Sequence, residues 1–221
     1  AEAGIPGGVL NVVPGLGHVA GEALGRHPDV DKIAFTGSPE VGRRFLEYAG
    51  RSNGKQVSLE LGGKSPQVVL ADCPDLAAAA EAIAWGIFYN AGQTCNAGSR
   101  LLVDARVHDD LLAEVVKVAE SIVVGDPFDP ATTSAPMINP VQRDKVLRYI
   151  RTAEEEGARR LVGGEAPDGE LACGNWVTPA VFAEVDNRMT LAQEEVFGPV
   201  LAVIPVDDED EAIRVANDSS Y

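Results

Sequence analysis

An α/β architecture on mostly parallel sheets is the fold this sequence predicts, and three observations carry it. Short apolar runs of strand length, such as Lys32–Thr36, Gln67–Ala71, Arg100–Asp104 and Val200–Val206, recur along the 221 residues. Segments with apolar residues at helical spacing lie between them, as in Pro39–Ala49 and Asp109–Ser121. Glycine, proline and capping residues mark the junctions. Strands that alternate with helices along a whole chain are joined by crossovers, and crossovers favour parallel pairing.

The elements follow in order. Val9-Leu10-Asn11-Val12-Val13, bounded by Gly8 and Pro14, reads as a buried strand, followed by a Gly15-Leu16-Gly17 turn and a helix over His18–Arg26. Gly15, Gly17 and Gly21 resemble a dinucleotide fingerprint without matching it, because the last spacing is one residue too long and Phe35 stands where a ribose-binding acid would fall. A plain strand-to-helix turn is the better account of them on these residues alone.

The next unit is better punctuated. Lys32–Thr36 is a strand, Gly37 turns it, Ser38 suits an N-cap, Pro39 the first helical position and Glu40 the positive end of the dipole. Val41, Phe45 and Ala49 should face a sheet, with Arg43, Arg44 and Glu47 in water and Gly50 ending the helix. Free backbone N–H groups at such a helix start, just beyond a strand, suit a pyrophosphate. Gln56–Leu61 is a third strand, and the Gly62-Gly63 pair is the expected boundary between domains at 1–61 and 62–221.

Beyond that boundary, Gln67–Ala71 is a strand and Asp75 caps an alanine-rich helix reaching toward Tyr89. Cys95 lies in the turn before the strand Arg100–Asp104. A helix over Asp109–Ser121, a proline-bearing loop over Phe128–Pro140 and a helix from about Val141 to Glu156 come next. Val177–Phe182 and Val200–Val206 read as strands and Asp208–Asn217 as a last helix.

Composition narrows the function. Lysine and arginine number 18 against 34 aspartate and glutamate, a formal charge of −16 that repels phosphate backbones and argues against a nucleic-acid partner. Cys73, Cys95 and Cys173 are an odd count without CxxC spacing, so neither a disulfide framework nor a zinc site is indicated, and a reducing cytoplasm fits. The longest apolar stretch, Leu76–Tyr89, is interrupted by Glu81 and too short to span a bilayer, so no membrane partner is expected. The chain opens at Ala1 without a methionine or secretory leader and stops at Tyr221 after an acidic helical run, which suggests a piece of a longer protein.

Two stretches carry chemistry. Gly92-Gln93-Thr94-Cys95-Asn96-Ala97-Gly98-Ser99 sets a cysteine among small and hydroxyl-bearing residues between a helix and a strand. Free cysteine usually packs as a small hydrophobe. Against that stands Val57-Ser58-Leu59-Glu60-Leu61-Gly62-Gly63-Lys64-Ser65-Pro66, where a carboxylate closes an apolar strand; a strand-end glutamate and a loop cysteine make a base and nucleophile pair.

With Phe35-Thr36-Gly37-Ser38, Leu59-Glu60-Leu61-Gly62-Gly63-Lys64-Ser65-Pro66, Gly92-Gln93-Thr94-Cys95 and Glu194-Glu195-Val196-Phe197-Gly198-Pro199 together, the sequence resembles the NAD(P)-dependent aldehyde dehydrogenases. The four motifs stand in the family's order at compatible separations. The resemblance implies the remainder of a Rossmann-like cofactor domain followed by a mostly parallel α/β catalytic domain. It makes Cys95 the nucleophile that attacks an aldehyde and Glu60 the base that activates water to release the acyl group. Apolar sequence neighbours should desolvate Glu60 and shift it toward the operating pH.

For NAD or NADP, Gly37 and Ser38 match the dinucleotide contact at the helix start, with Val41 and Gly42 in the adjoining turn and Gly17 near the adenosine end. Leu61 matches a backbone contact to the nicotinamide amide, Glu195 the carboxylate on the nicotinamide ribose and Phe197 the neighbouring ring. Gln142 and Lys145 fall in a segment that reaches the cofactor in some members, although exposed helix residues would look the same. Thr94 and Asn96 would face the substrate channel. The parent enzyme is expected to be a homo-oligomer, a dimer or tetramer.

An oxyanion-donating asparagine and a cofactor-contacting lysine of the family fall before Ala1, and the family's terminal segment is missing, so little turnover is expected of this stretch alone. Within the resemblance, a CoA-acylating enzyme is the alternative, disfavoured by Glu60. A cysteine hydrolase or acyltransferase pairing Cys95 with His108 or His18 is a further one, as is an inert piece.

Overall fold

The computed structural model describes residues 3–221, which divide into two compact units, the first ending at Gly62 and the second running from Gly63 to Tyr221. In the first, a π-turn over Gly17–Gly21 leads into helix α1 (Glu22–Arg26), followed by β1 (Lys32–Thr36), α2 (Pro39–Gly50) and β2 (Gln56–Glu60). β1 and β2 pair in parallel, with Thr36 opposite Glu60. The Ser38 hydroxyl caps α2 by accepting from the Val41 N–H at 3.3 Å, and Pro39 opens the helix, as the sequence predicts. The face of α2 that carries Gly42, Phe45 and Ala49 is buried, and the Phe45 ring lies 4.9 Å from that of Phe35 on β1. Lys55, almost wholly buried, donates to the Gly25 carbonyl at 2.8 Å and so ties the end of α1 to the loop before β2.

The strand expected at Val9–Val13 does not form. Val9, Leu10, Val12 and Val13 are between 65 and 84% exposed, and the segment is irregular. Apolar composition suits a strand, but a strand needs a ladder, and among the described residues of this unit β1 and β2 pair only with each other.

The second unit holds β3 (Pro66–Val69), α3 (Leu76–Phe88), β4 (Arg100–Asp104), α4 (His108–Ser121), α5 (Pro140–Glu155), β5 (Arg159–Val162), β6 (Ala180–Ala183), α6 (Thr190–Gln193), β7 (Val200–Val206) and α7 (Glu209–Asn217). Its strands line up as β3-β4-β7-β6-β5; all pairs are parallel except β5 with β6. The sheet is therefore mostly parallel, with its antiparallel strand at one edge. Strand β5 and the short α6 lie outside the sequence expectation, and the strand expected at Val177–Phe182 starts later, at Ala180.

Every residue of β4 is buried, because both faces of the sheet are covered. Leu101 joins a core built with Ile83, Ile87 and Phe88 of α3 and Leu111 and Val115 of α4. Leu102, pointing the other way, joins Val146 and Ile150 of α5 and Ala212 and Val215 of α7. Asp75, Asn139 and Asp208 cap α3, α5 and α7 through their side chains. Since Leu101 and Leu102 have no exposure, Leu101→Ala and Leu102→Ala should each lower unfolding free energy by about 2–5 kcal/mol, read from urea midpoints with an unchanged slope.

Candidate active site

In the first unit the candidate residues gather at the C-terminal ends of β1 and β2. The Gly37 N–H donates to the Glu60 carbonyl at 3.0 Å, which fixes the β1-α2 turn beside the end of β2. A Cβ on Gly37 would stand 2.5 Å from the tip of the Phe35 ring, so a side chain there would require that ring to move. Gly42 lies against Leu61, where a Cβ would meet Leu61 Cδ2 at 2.7 Å, and Val41 is half-buried beside it. Gly37 and Ser38 are exposed, so the helix start is open to a ligand. Gly17 is exposed in its π-turn, with its carbonyl taken by the Glu22 N–H.

Glu60 differs from expectation. Along β2, Val57 and Leu59 are half-buried while Gln56, Ser58 and Glu60 alternate onto the exposed face. The strand's period of two, rather than the apolar character of its sequence neighbours, decides where the carboxylate points.

In the second unit the candidates meet at the N-terminal ends of three adjacent strands. The turn Gly63-Lys64-Ser65 precedes β3, the Cys95 loop precedes β4, and the Glu194–Pro199 loop precedes β7. Because Pro66, Arg100 and Ala202 pair across the sheet, these loops emerge side by side. The Gly63 N–H donates to Glu195 Oε1 at 3.1 Å, and a Cβ on Gly63 would lie 2.8 Å from the Cys95 carbonyl oxygen. One glycine therefore touches the loops of both the thiol and the carboxylate. Gly63, Thr94, Ser99, Glu195 and Phe197 line the narrow cleft between them.

The Cys95 loop is shaped by its backbone. After α3, Asn90, Ala91 and Gly92 take φ values of 51, 52 and 69°, a left-handed run that reverses the chain. Gly92 approaches so closely that a Cβ would lie 2.1 Å from the Gly198 carbonyl oxygen. Gln93 Oε1 accepts from the Ile138 N–H at 2.9 Å, and Gln67 Nε2 donates to the Gly98 carbonyl at 2.7 Å. The loop is pinned on either side of Cys95, whose side chain is exposed.

Gln142 and Lys145, read as cofactor contacts or surface residues, are engaged with the neighbouring loop. Gln142 Nε2 donates to the carbonyls of Val196 and Phe197 at 3.0 and 2.9 Å, and Lys145 Nζ to that of Glu195 at 3.0 Å. One helical turn further along α5, the Tyr149 hydroxyl donates to Glu194 Oε2 at 2.6 Å. Burial pushes the Tyr149 phenol upward, with help from its bond to Glu194, and desolvation lowers the Lys145 ammonium against the opposing pull of Glu195 and Glu194. Phe197 sits at φ 57° at the end of the clamped segment.

His108 is not a partner for the thiol. It opens α4 beyond the C-terminal end of β4, whereas Cys95 precedes the N-terminal end, and its Nδ1 lies 2.8 Å from Asp109. The larger hollow lined by Asp72, Asp104, Arg106 and Asp208 is also at that far end of the sheet. Among the described residues no histidine, cysteine and carboxylate group is arranged to hold a metal, and no helix is long and apolar enough to cross a membrane.

A mostly parallel α/β unit that presents a thiol loop and a carboxylate loop at adjacent strand ends, and a smaller α/β unit with an open helix start, are the features the chain offers to a comparison with known proteins. The model of the aldehyde dehydrogenase family matches residues 1–221, and the chain belongs to that family. It is 49% identical over 220 residues to the NADP/NAD-dependent aldehyde dehydrogenase PuuC of Escherichia coli, covering all of this chain and 43% of that protein. The mitochondrial aldehyde dehydrogenase of Equus caballus is 46% identical with the same coverage. Among solved structures, an indole-3-acetaldehyde dehydrogenase in complex with NAD+ superposes with a TM-score of 0.97 at 48% identity, covering the whole chain and 44% of that one. The chain thus spans less than half the length of these relatives.

Lys64, which the sequence reading passes over, is 3% exposed in this site. Desolvation and the nearby Arg100 lower its pKa from 10.5 to about 7, with Glu195 opposing. The unfolded chain holds that proton up to about pH 10.5, whereas the native state releases it near 7, so native stability gains as pH rises between those values. Urea unfolding of wild type and Lys64→Met should therefore show wild type gaining relative to the variant from pH 7 to 10; parallel pH curves would refute this assignment.

Proposed function

We propose that this chain carries the nucleophile, the deacylating carboxylate and the nicotinamide-side contacts of an NAD(P)-dependent aldehyde dehydrogenase that converts aldehydes to carboxylic acids. The observation that carries the reading is Gly63, whose N–H holds Glu195 while its Cα lies against the Cys95 carbonyl. Family membership over the full length supports it.

Residues of both units suit a nicotinamide dinucleotide. Gly37 and Ser38 present an open helix start to a pyrophosphate, aided by the turn at Val41 and Gly42. Glu195 accepts the Gly63 N–H through Oε1, which leaves Oε2 to accept from ribose hydroxyls, and Phe197 borders the same cleft. Leu61 offers its backbone at the end of β2, and Gly17 the adenosine side. Gln142 and Lys145 serve by holding the Glu195 loop. When bound, the nucleotide supplies the hydride acceptor.

Cys95 acts as a thiolate that adds to the aldehyde carbon; loss of hydride from that carbon leaves an acyl thioester on sulfur. Glu60 takes a proton from water, which attacks the thioester; the acid leaves and Cys95 is regenerated. Aldehyde, oxidised nucleotide and water thus become acid, reduced nucleotide and a proton. The parent is read as a homo-oligomer in a reducing compartment, in keeping with three unpaired cysteines.

In the full-length protein with an aldehyde panel and each nucleotide, Cys95→Ala should abolish formation of reduced cofactor. Glu60→Gln should keep a pre-steady-state burst and slow the steady state on the order of a hundredfold or more, as expected on losing a general base. A Glu60→Gln enzyme without a burst would contradict the assignment of Glu60, and acceleration only by CoA would point to the acylating alternative.

A further inference from the structure

The inference concerns Lys64 and rests on the reading of Glu195 as a ribose ligand. Helix α6 is four residues long and stops abruptly, with Glu194 already extended at φ −108° and ψ 146°. The carbonyl of Leu191, the second residue of this single turn, accepts from Lys64 Nζ at 2.8 Å. The residue before the lysine, Gly63, donates its N–H to Glu195. Two consecutive residues of one turn therefore hold the end of α6 and the carboxylate four positions further on.

Burying an ammonium whose hydrogen-bond partner is a carbonyl costs free energy, and such groups persist where surrounding structure requires them. Lys64 lies close to a second buried cation, Arg100, whose Nε donates to the Lys64 carbonyl at 2.9 Å; Glu195 is the nearby countercharge. The other side of the loop is already clamped by Gln142 and Lys145. Thr190, Gln193 and Glu194 are held by Glu156, by the Asn187 and Asp218 carbonyls and by Tyr149, so what Lys64 adds is the donor to the Leu191 carbonyl; without it that carbonyl is left unpaired and the backbone leading to Glu195 is free to shift.

We propose that Lys64 is a positioning residue for the cofactor: by capping α6 from within the fold it fixes where the chain leaves the helix, and so sets the carboxylate of Glu195 for the nicotinamide ribose. Its amine acts through the Leu191 carbonyl. The lowered affinity of the amine for its proton accords with this enclosed setting.

A double-mutant cycle in the full-length protein tests the proposal, using Lys64→Met, Glu195→Gln and the pair, with KM for the nucleotide and kcat for an aldehyde measured for each. Loss of this buried amine-to-carbonyl hydrogen bond, with the Leu191 carbonyl left unpaired, predicts a rise in nucleotide KM of about tenfold for Lys64→Met, with kcat changed less than about threefold. The pair should be no worse than the more severe single variant, since both act on one contact. Multiplicative effects on KM, or a Lys64→Met enzyme with unchanged KM, would overturn the positioning role alone. An unchanged KM in Glu195→Gln would instead remove the ribose assignment and the inference with it. Should Lys64→Met not fold, Lys64→Gln, which keeps a neutral donor on a shorter stem, should show the same split in milder form; equal losses in KM and kcat would count against the proposal.

Discussion

The buried guanidinium of Arg100 is the constraint on which the site of the second unit depends. At 1% exposure it donates through Nε to the Lys64 carbonyl at 2.9 Å, through Nη1 to Asn187 Oδ1 and the Val215 carbonyl at 3.1 and 3.0 Å, and through Nη2 to the Ala216 carbonyl at 2.8 Å. Those acceptors belong to the turn before β3, the segment before α6 and the end of α7. A planar group with five donors in a fixed fork can join so many strands of chain where a lysine could not. Arg100 is also the first residue of β4, directly after the Cys95 loop. The thiol loop, the Gly63 turn and the approach to Glu195 therefore share one anchor, and displacing any of them strands buried donors or carbonyls.

The two buried lysines extend the same physics. Lys55 reaches the Gly25 carbonyl near the end of α1, and Lys64 the Leu191 carbonyl near the end of α6. These helices have five and four residues, too short to stand by propensity. Terminal carbonyls left open by a short helix are acceptors in search of a donor, and a long amine arriving from elsewhere in the sequence supplies it. In both places the lysine's role is tertiary, so nothing in its immediate sequence announces it.

That difference marks what could be read beforehand. Helix α2 was legible because its signals are local: Ser38, Pro39, Glu40 and the spacing of Phe45 and Ala49. The local punctuation likewise places Cys95 in the turn before the strand Arg100–Asp104. Val9–Val13 misled because composition describes a strand's faces and says nothing of its neighbours. Strand β5 was hidden by its arginines, Arg159 and Arg160, which ride an edge where polar residues are tolerated. Glu60 was judged by the residues beside it in sequence, although in a strand those point to the other face. For Gln142 and Lys145 the sequence leaves cofactor contact and exposed helix open; their partners in the fold, three backbone carbonyls some 50 residues away, have no signature.

The site combines a fixed backbone with free side chains. Gly63 from one side and α5 from the other hold the Glu195 loop, and Gly92 packs against Gly198 where no larger residue fits. Left-handed backbone at Asn90, Ala91 and Phe197 is costly in residues with a Cβ and persists only where surrounding contacts over-determine it. It is found on both sides of the cleft. What the fold leaves unspent is the Cys95 sulfur, the second oxygen of Glu195 and the ring of Phe197. A loop pinned at several points along its main chain has less entropy to lose when a ligand arrives, so contacts made by those groups are offset less by the ordering of the chain beneath them. The strained turns at 90–92 and 197 are thus understandable as the condition for placing reactive groups on loops without making the loops soft.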